Sequence, residues 1–203
     1  MTRMGKVAPM TEAEWVVLVC RLLNEFWQHS VSRTRIEAVA HKRLPYRFEI
    51  HSFTGVKPNP APATSYQTDI LILETHADGS WTPRIVIEGK LGKVTTHDAL
   101  TYSAKAATHI QVHPYLRYGI LIGSISSVPL RLFRHGAHFD FMITWKAEMP
   151  NAGEQHRFQE MMMEEVEASQ QLQRFIEANR ASDKYSMVRR KLVLSRSQLG
   201  GKS

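Results

Sequence analysis

Apolar and polar positions alternate with several different periods along this chain, and each period predicts an element. Thr11-Glu12-Ala13-Glu14 has the spacing of a capping box, and Trp15, Leu18, Val19, Leu22, Leu23 and Phe26 then recur at helical intervals. A first helix follows from that pattern. Residues 33–42 fit a second short helix, and Tyr46-Arg47-Phe48-Glu49-Ile50 alternates as a half-buried strand does. Lys57-Pro58-Asn59-Pro60-Ala61-Pro62 reads as a stiff surface loop. Ile70-Leu71-Ile72-Leu73 and Ile85-Val86-Ile87 are apolar on successive residues, the pattern of strands covered on both faces. Thr95, with Asp98 three residues on, opens an Ala-rich helix to about Val112, and Tyr118-Gly119-Ile120-Leu121-Ile122 reads as the next strand. Phe139 to Ile143 alternates as another strand, and a long helix runs from about Glu154 to Arg180.

This order of elements predicts an α/β fold: one domain with a central mixed β-sheet flanked by helices. The domain is expected to span residues 1–183, including the long C-terminal helix, with a basic tail at 184–203.

Between the two apolar strands, Asp78-Gly79 is the preferred pair for a two-residue type I′ turn. If Ala77 pairs with Ser80, counting outward sets Ile72 opposite Ile85, Ile70 opposite Ile87 and Asp69 opposite Glu88. Strand periodicity then puts Lys90 on the same face. A slip of one residue would send Asp69 to the other face. Pro83 cannot donate to a ladder, so the lower hairpin must be an edge, a bulge or loop. Two carboxylates directly opposed, with Cβ atoms roughly 4.5–5.5 Å apart, repel each other. A hard divalent cation with oxygen ligands compensates that repulsion.

Composition sharpens this picture in a few places. The 203 residues carry a formal net charge of +7, which favours polyanionic partners. No apolar run approaches the ~18 residues of a membrane span, and the first residues lack a secretory pattern, so the expected location is the cytoplasm, off the membrane. Cys20 is the single cysteine and lies within an apolar helical pattern, where it reads as a small buried side chain. No Gly-rich phosphate loop and no nucleophile elbow is present.

Thr68-Asp69, an apolar strand, a hairpin, then Ile87-Glu88-Gly89-Lys90 and a helix resemble the PD-(D/E)XK, or restriction-endonuclease-like, nucleases, with Thr68 where the motif has proline. The resemblance covers roughly Tyr46 to Gly123. It implies a restriction-endonuclease-like fold and a Mg²⁺-dependent endonuclease, with Mn²⁺ as a substitute ion. In such enzymes the residues matching Asp69 and Glu88 bind the metal, the Gly89 carbonyl adds a ligand, and the match to Lys90 assists the attacking water. A further acidic residue on the first helix often reaches the same metal; Glu14 is the candidate, with Glu12, Glu25 and Glu49 as alternatives. The implied substrate is double-stranded DNA, the implied assembly a homodimer with one site per strand, and the implied role restriction or anti-phage defence.

Lys93, His97, Tyr102 and Lys105 are candidates to touch substrate from the helix after Thr95, whose N-terminal amides are placed to hold a phosphate. His109 and His113 have the i, i+4 spacing of zinc ligands, yet Ile110 replaces the glutamate of HExxH; His135 and His138 carry no stronger motif. Met161-Met162-Met163 sits at core or interface spacing. Two other classes stay open: a non-catalytic nucleic-acid-binding module of the same fold, and a protein-interaction subunit built on the long C-terminal helix.

Overall fold

The computed structural model describes residues 10–28 and 35–179. Helix α1 (Glu12–Gln28) begins with the expected box: the Glu14 amide donates to Thr11 Oγ1 at 3.3 Å, and the Glu14 carboxylate accepts from the Thr11 amide at 2.8 Å. Its buried stripe includes Trp15, Val16, Val19, Leu23 and Trp27, and it lies on one face of a five-stranded sheet.

That sheet has β1 (Arg35–Ala40), β6 (Ile70–Thr75), β7 (Trp81–Leu91), β8 (Arg117–Gly123) and β9 (Phe141–Thr144) in this spatial order. β1, β6 and β7 are antiparallel neighbours, whereas β8 and β9 run parallel to β7, so the sheet is mixed. Helices α1 and α4 (Ala152–Asn179) cover one face, and α2 (Thr96–Val112) with the short α3 (Leu130–His135) covers the other. Ile70 and Ile72 turn to the first face and Leu71 and Leu73 to the second, which is why both kinds of position are apolar. The whole is a single α/β domain with a mixed central sheet and flanking helices.

Several expectations need correction. Residues 35–40 form an edge strand, not a helix: Ile36, Ala38 and Ala40 pack toward α1 while Val39 packs on the opposite face. Alanine and glutamate favour a helix intrinsically, but six residues paired along the whole of β6 outweigh that preference. Asn24 of α1 secures the strand, accepting from the Ala38 amide at 2.8 Å and donating to its carbonyl at 2.9 Å. Arg33 and Thr34 lie outside the described residues, as does the basic tail at 184–203.

The segment expected as one strand and a loop is a hairpin-like arm. β2 (Arg43–Arg47) pairs with β5 (Thr64–Gln67), and β3 (Ile50–Thr54) with β4 (Lys57–Pro60), the latter replacing the predicted proline loop. Met162 is buried and Met163 exposed, so the methionine run belongs in part to the core. Among the described residues, no helix is long and apolar enough to cross a membrane.

Candidate functional site

The β6–β7 register decides where Asp69 falls, and it is reached by two departures that cancel. The turn is one residue longer than a type I′ hairpin: the His76 amide donates to the Ser80 carbonyl, Thr75 pairs with Trp81, and Gly79 takes φ +80°. Arg84 is then an extra residue on β7, a bulge between the Leu73–Pro83 and Ile72–Ile85 pairs. The bulge restores the register, so Ile70 stands opposite Ile87 as predicted. It coincides with a buried ion pair, in which Arg84 Nε donates to Glu74 Oε2 at 2.6 Å.

β7 continues past the start of β6, leaving its outer amides without a strand partner. Side-chain carboxylates take their place. The Gly89 amide donates to Asp69 Oδ2 at 2.8 Å and the Leu91 amide to Glu12 Oε2 at 3.0 Å. A strand residue's amide and carbonyl point to the same edge, so the Gly89 carbonyl faces this side too.

Glu88 and Lys90 alternate to the α2 face, since a Cβ on Gly89 would point at α1 and meet Val16 at 2.9 Å. Glu88 is 1 % exposed. Its Oε1 accepts from the Tyr118 hydroxyl at 2.5 Å, and Lys105 Nζ lies 3.5 Å from the same oxygen. Its Oε2 is buried and, among the described residues, has no hydrogen-bond donor. Burial, then the negative charge of adjacent Asp69, pushes the Glu88 carboxyl up to about 7, against the opposing pull of Lys105 and Tyr118. Asp69 and Glu88 therefore share one side of the sheet and interact directly.

Lys90 Nζ lies 3.5 Å from Glu12 Oε1 and 4.0 Å from Asp98 Oδ1. The first-helix acid at this site is Glu12, and Glu14 is not there. Residues two apart on a helix point about 200° from one another, and the exposed Glu14 carboxylate is held by Thr11, which lowers its pKa. Glu25 lies about 20 Å farther along α1, and Glu49 pairs with Arg47 and His51 on the arm.

Among the other candidates, Lys105 reaches Glu88 and also lies over the rings of Tyr66 at 5.9 Å and Tyr102 at 5.3 Å. The Tyr102 hydroxyl is pushed up by burial and by Asp69 and Glu88. Lys93 and His97 are exposed. The first turn of α2 is capped by Thr95 and carries the Asp98 carboxylate, which disfavours a phosphate there. His109 and His113 are not a zinc pair: their Nε2 atoms face the carbonyls of Leu44 and Pro45 at 3.3 and 3.0 Å, and burial pushes His109 down to about 4.

Sequence reasoning assigned Tyr118 only a strand role. Tyr118 pairs with Val86 across the parallel β7–β8 ladder and so shares the face of Glu88, a register that no local spacing in the sequence announces.

Among the described residues, no three His, Cys, Asp or Glu side chains form a group able to hold a metal ion by themselves. Asp69 and Glu88 put two carboxylates on one face, and strand geometry turns the Gly89 carbonyl to the edge on which its amide meets Asp69. Such oxygens suit Mg²⁺, which takes one or two carboxylates and completes its shell with water and phosphate. An orphaned carboxylate oxygen beside a second carboxylate has the chemistry of a cation ligand, so these residues fit a hard divalent ion. No protein-family model matches the chain, and a search of curated proteins finds no match.

Proposed function

We propose that this protein is a metal-dependent endonuclease of the PD-(D/E)XK kind that hydrolyses phosphodiester bonds in double-stranded DNA. The observation that carries the proposal is the pairing of half-buried Asp69 with buried Glu88, whose Oε2 lacks any donor among the described residues, with Lys90 on the same face. A helix, an antiparallel strand pair carrying the acids, a helix and a parallel strand form an order compatible with the restriction-endonuclease-like fold.

Asp69, Glu88 and the Gly89 carbonyl would hold Mg²⁺ or Mn²⁺. The ion supplies positive charge against the developing phosphoryl oxygens and makes water more acidic. The chain's own groups orient and neutralise. The Gly89 amide fixes Asp69, while Tyr118 and Lys105 fix one Glu88 oxygen and leave the other for the ion. Lys90 brings an ammonium that orients the attacking water and offsets the charge developing on phosphate. Glu12, anchored on the Leu91 amide, sets the position of Lys90.

A two-fold dimer in the cytoplasm, acting in restriction or anti-phage defence, completes the proposal by analogy with the family. A methyltransferase gene beside this one would favour restriction over repair or transposition.

The test is cleavage of supercoiled and linear DNA with Mg²⁺ or Mn²⁺ by wild type, Asp69→Ala and Lys90→Ala. Wild type is expected to cut, and each variant to lose about 100-fold or more. Equal cleavage by all three overturns the proposal. The second reading, a non-catalytic DNA-binding module, draws on the Lys90–Glu12 and Lys90–Asp98 ion pairs, which occupy the ammonium. It predicts salt-sensitive binding that survives loss of Asp69 and needs no divalent ion.

A further inference from the structure

The arm between β1 and β6 is rooted at the candidate site. The His41 amide donates to the Asp69 carbonyl at 2.9 Å, and the Thr68 amide to the Lys42 carbonyl at 3.0 Å. From there β2 and β5 pair through Arg47 and Thr64, the Ala61 amide bonds the Glu49 carbonyl, and β3 pairs with β4 to the tip at Gly55. The base is fixed: Leu44 is buried, and the Tyr46 and Tyr66 rings stack at 3.7 Å with His109 of α2 edge-on to both.

The outer ribbon is different, because every residue of β3 and β4 is exposed. Phe48, Ile50, Phe53 and Val56 are 58 %, 56 %, 64 % and 98 % exposed, a concentration of large apolar side chains that water alone does not favour. A two-stranded ribbon with both faces in solvent is marginal by itself. Such a ribbon suits a partner that covers it.

Charge and shape choose the partner. Residues 41–67 hold Lys42, Arg43, Arg47 and Lys57 against Glu49 alone, so four positive charges less one negative leave a formal +3. A second β-edge is a poor match, since Pro58 and Pro60 remove two of the four amides of β4. A two-stranded ribbon, with strands about 4.8 Å apart, fits the roughly 12 Å major groove of B-form DNA. There, basic side chains meet phosphates and apolar ones meet thymine methyls.

We propose that the β3–β4 ribbon enters the major groove of duplex DNA and sets the position of the backbone relative to Asp69. The inference rests on the nuclease reading for its choice of duplex DNA, and it deepens that reading by naming the gripping element. Because the arm's base is tied by main-chain hydrogen bonds to Asp69 and to the adjacent Thr68, whatever the tip holds is registered to the carboxylate pair.

The experiment measures fluorescence anisotropy of a labelled duplex in EDTA over a salt series. It compares wild type with Phe53→Ser/Val56→Ser, with Arg47→Ala/Lys57→Ala, and with a chain in which residues 50–60 are replaced by Asn-Gly. Wild type is expected to bind, and each variant to lose about tenfold or more while keeping wild-type Mn²⁺ affinity. The Arg47→Ala/Lys57→Ala pair is also expected to lower the salt slope by about 2. Duplex binding unchanged in all three variants overturns the proposal. So does loss of a dimer with DNA affinity intact, which makes a second copy the occupant, or equal or tighter binding of the matching RNA duplex, whose deep narrow major groove excludes the ribbon. Arm-dependent duplex binding with neither cleavage nor Mn²⁺ uptake leaves this inference standing and removes the nuclease reading instead.

Discussion

The Tyr118 hydroxyl donates to Glu88 Oε1 at 2.5 Å from the neighbouring parallel strand, and the other oxygen of that carboxylate has no donor among the described residues. The phenol therefore fixes which way the most buried acid of the site turns. Tyr118→Phe keeps the ring and removes only this contact. We expect Mn²⁺ affinity, measured by calorimetry, to fall several-fold, with a stability loss of about 1 kcal/mol. Unchanged affinity would reduce Tyr118 to packing.

Glu88 adds its own pH-dependent contribution to the stability of the metal-free protein, opposite in sign to that of buried His109, whose lowered pKa favours the folded chain as pH rises. The Glu88 carboxyl is raised from 4.5 to about 7 in the folded state, so between those values the native chain keeps a proton that the unfolded chain has lost. Stability from this group is thus full below about pH 4.5 and declines as pH rises through 7, by on the order of 3 kcal/mol in all. Melting curves of wild type and Glu88→Gln from pH 5 to 8 are expected to differ in slope. Mg²⁺ is expected to raise the wild-type Tm more at pH 8 than at pH 5, where protons compete for the site. Parallel slopes would refute this role for Glu88.

Gly89 sits where β7 passes closest to α1. An added Cβ would lie 2.9 Å from Val16 and 3.4 Å from Trp15, both short of free movement within the core. Gly89→Ala is expected to cost about 1–3 kcal/mol by denaturant titration. Because α1 also carries Glu12, cleavage is expected to fall too. Adding Val16→Ala makes room, and stability of the double variant is expected to exceed the sum of the two single effects; strict additivity would contradict the contact.

Glu12 and Glu14 separate the two duties of the first helix turn. Glu14→Gln is expected to lower Tm slightly and leave cleavage alone, since Glu14 only caps the helix. Glu12→Gln weakens the hold on the Leu91 amide and the Lys90 ammonium, so cleavage is expected to drop at least tenfold with little change in Mn²⁺ affinity. The reverse pattern would return the site role to Glu14.

Much of this site was legible in sequence because strand alternation has a strict period of 2. Asp69, Glu88 and Lys90 fall on one face for that reason, because the longer turn, which was not foreseen, is cancelled by the Arg84 bulge, one of the irregularities that Pro83 implies. The pairing of Ile70 with Ile87 was therefore predicted correctly from a hairpin that is built differently. Residues 35–40 were missed because composition favoured a helix, while their deciding partners on β6 lie 30 to 40 residues away. Glu12 and Glu14 are both acidic and two positions apart, so only the helix rotation distinguishes them. The contacts of Lys105 and Tyr118 with Glu88 join residues 17 and 30 positions apart, and no local spacing announces them.

The claim on which the rest depends is that Asp69 and Glu88 share one divalent ion. Crystals soaked in Mn²⁺ and measured at its absorption edge test it most directly. One anomalous peak is expected within coordination distance of Asp69, of Glu88 and of the Gly89 carbonyl, absent from Asp69→Ala crystals. No peak at saturating Mn²⁺, or a peak bound elsewhere with these two carboxylates left untouched, would contradict it.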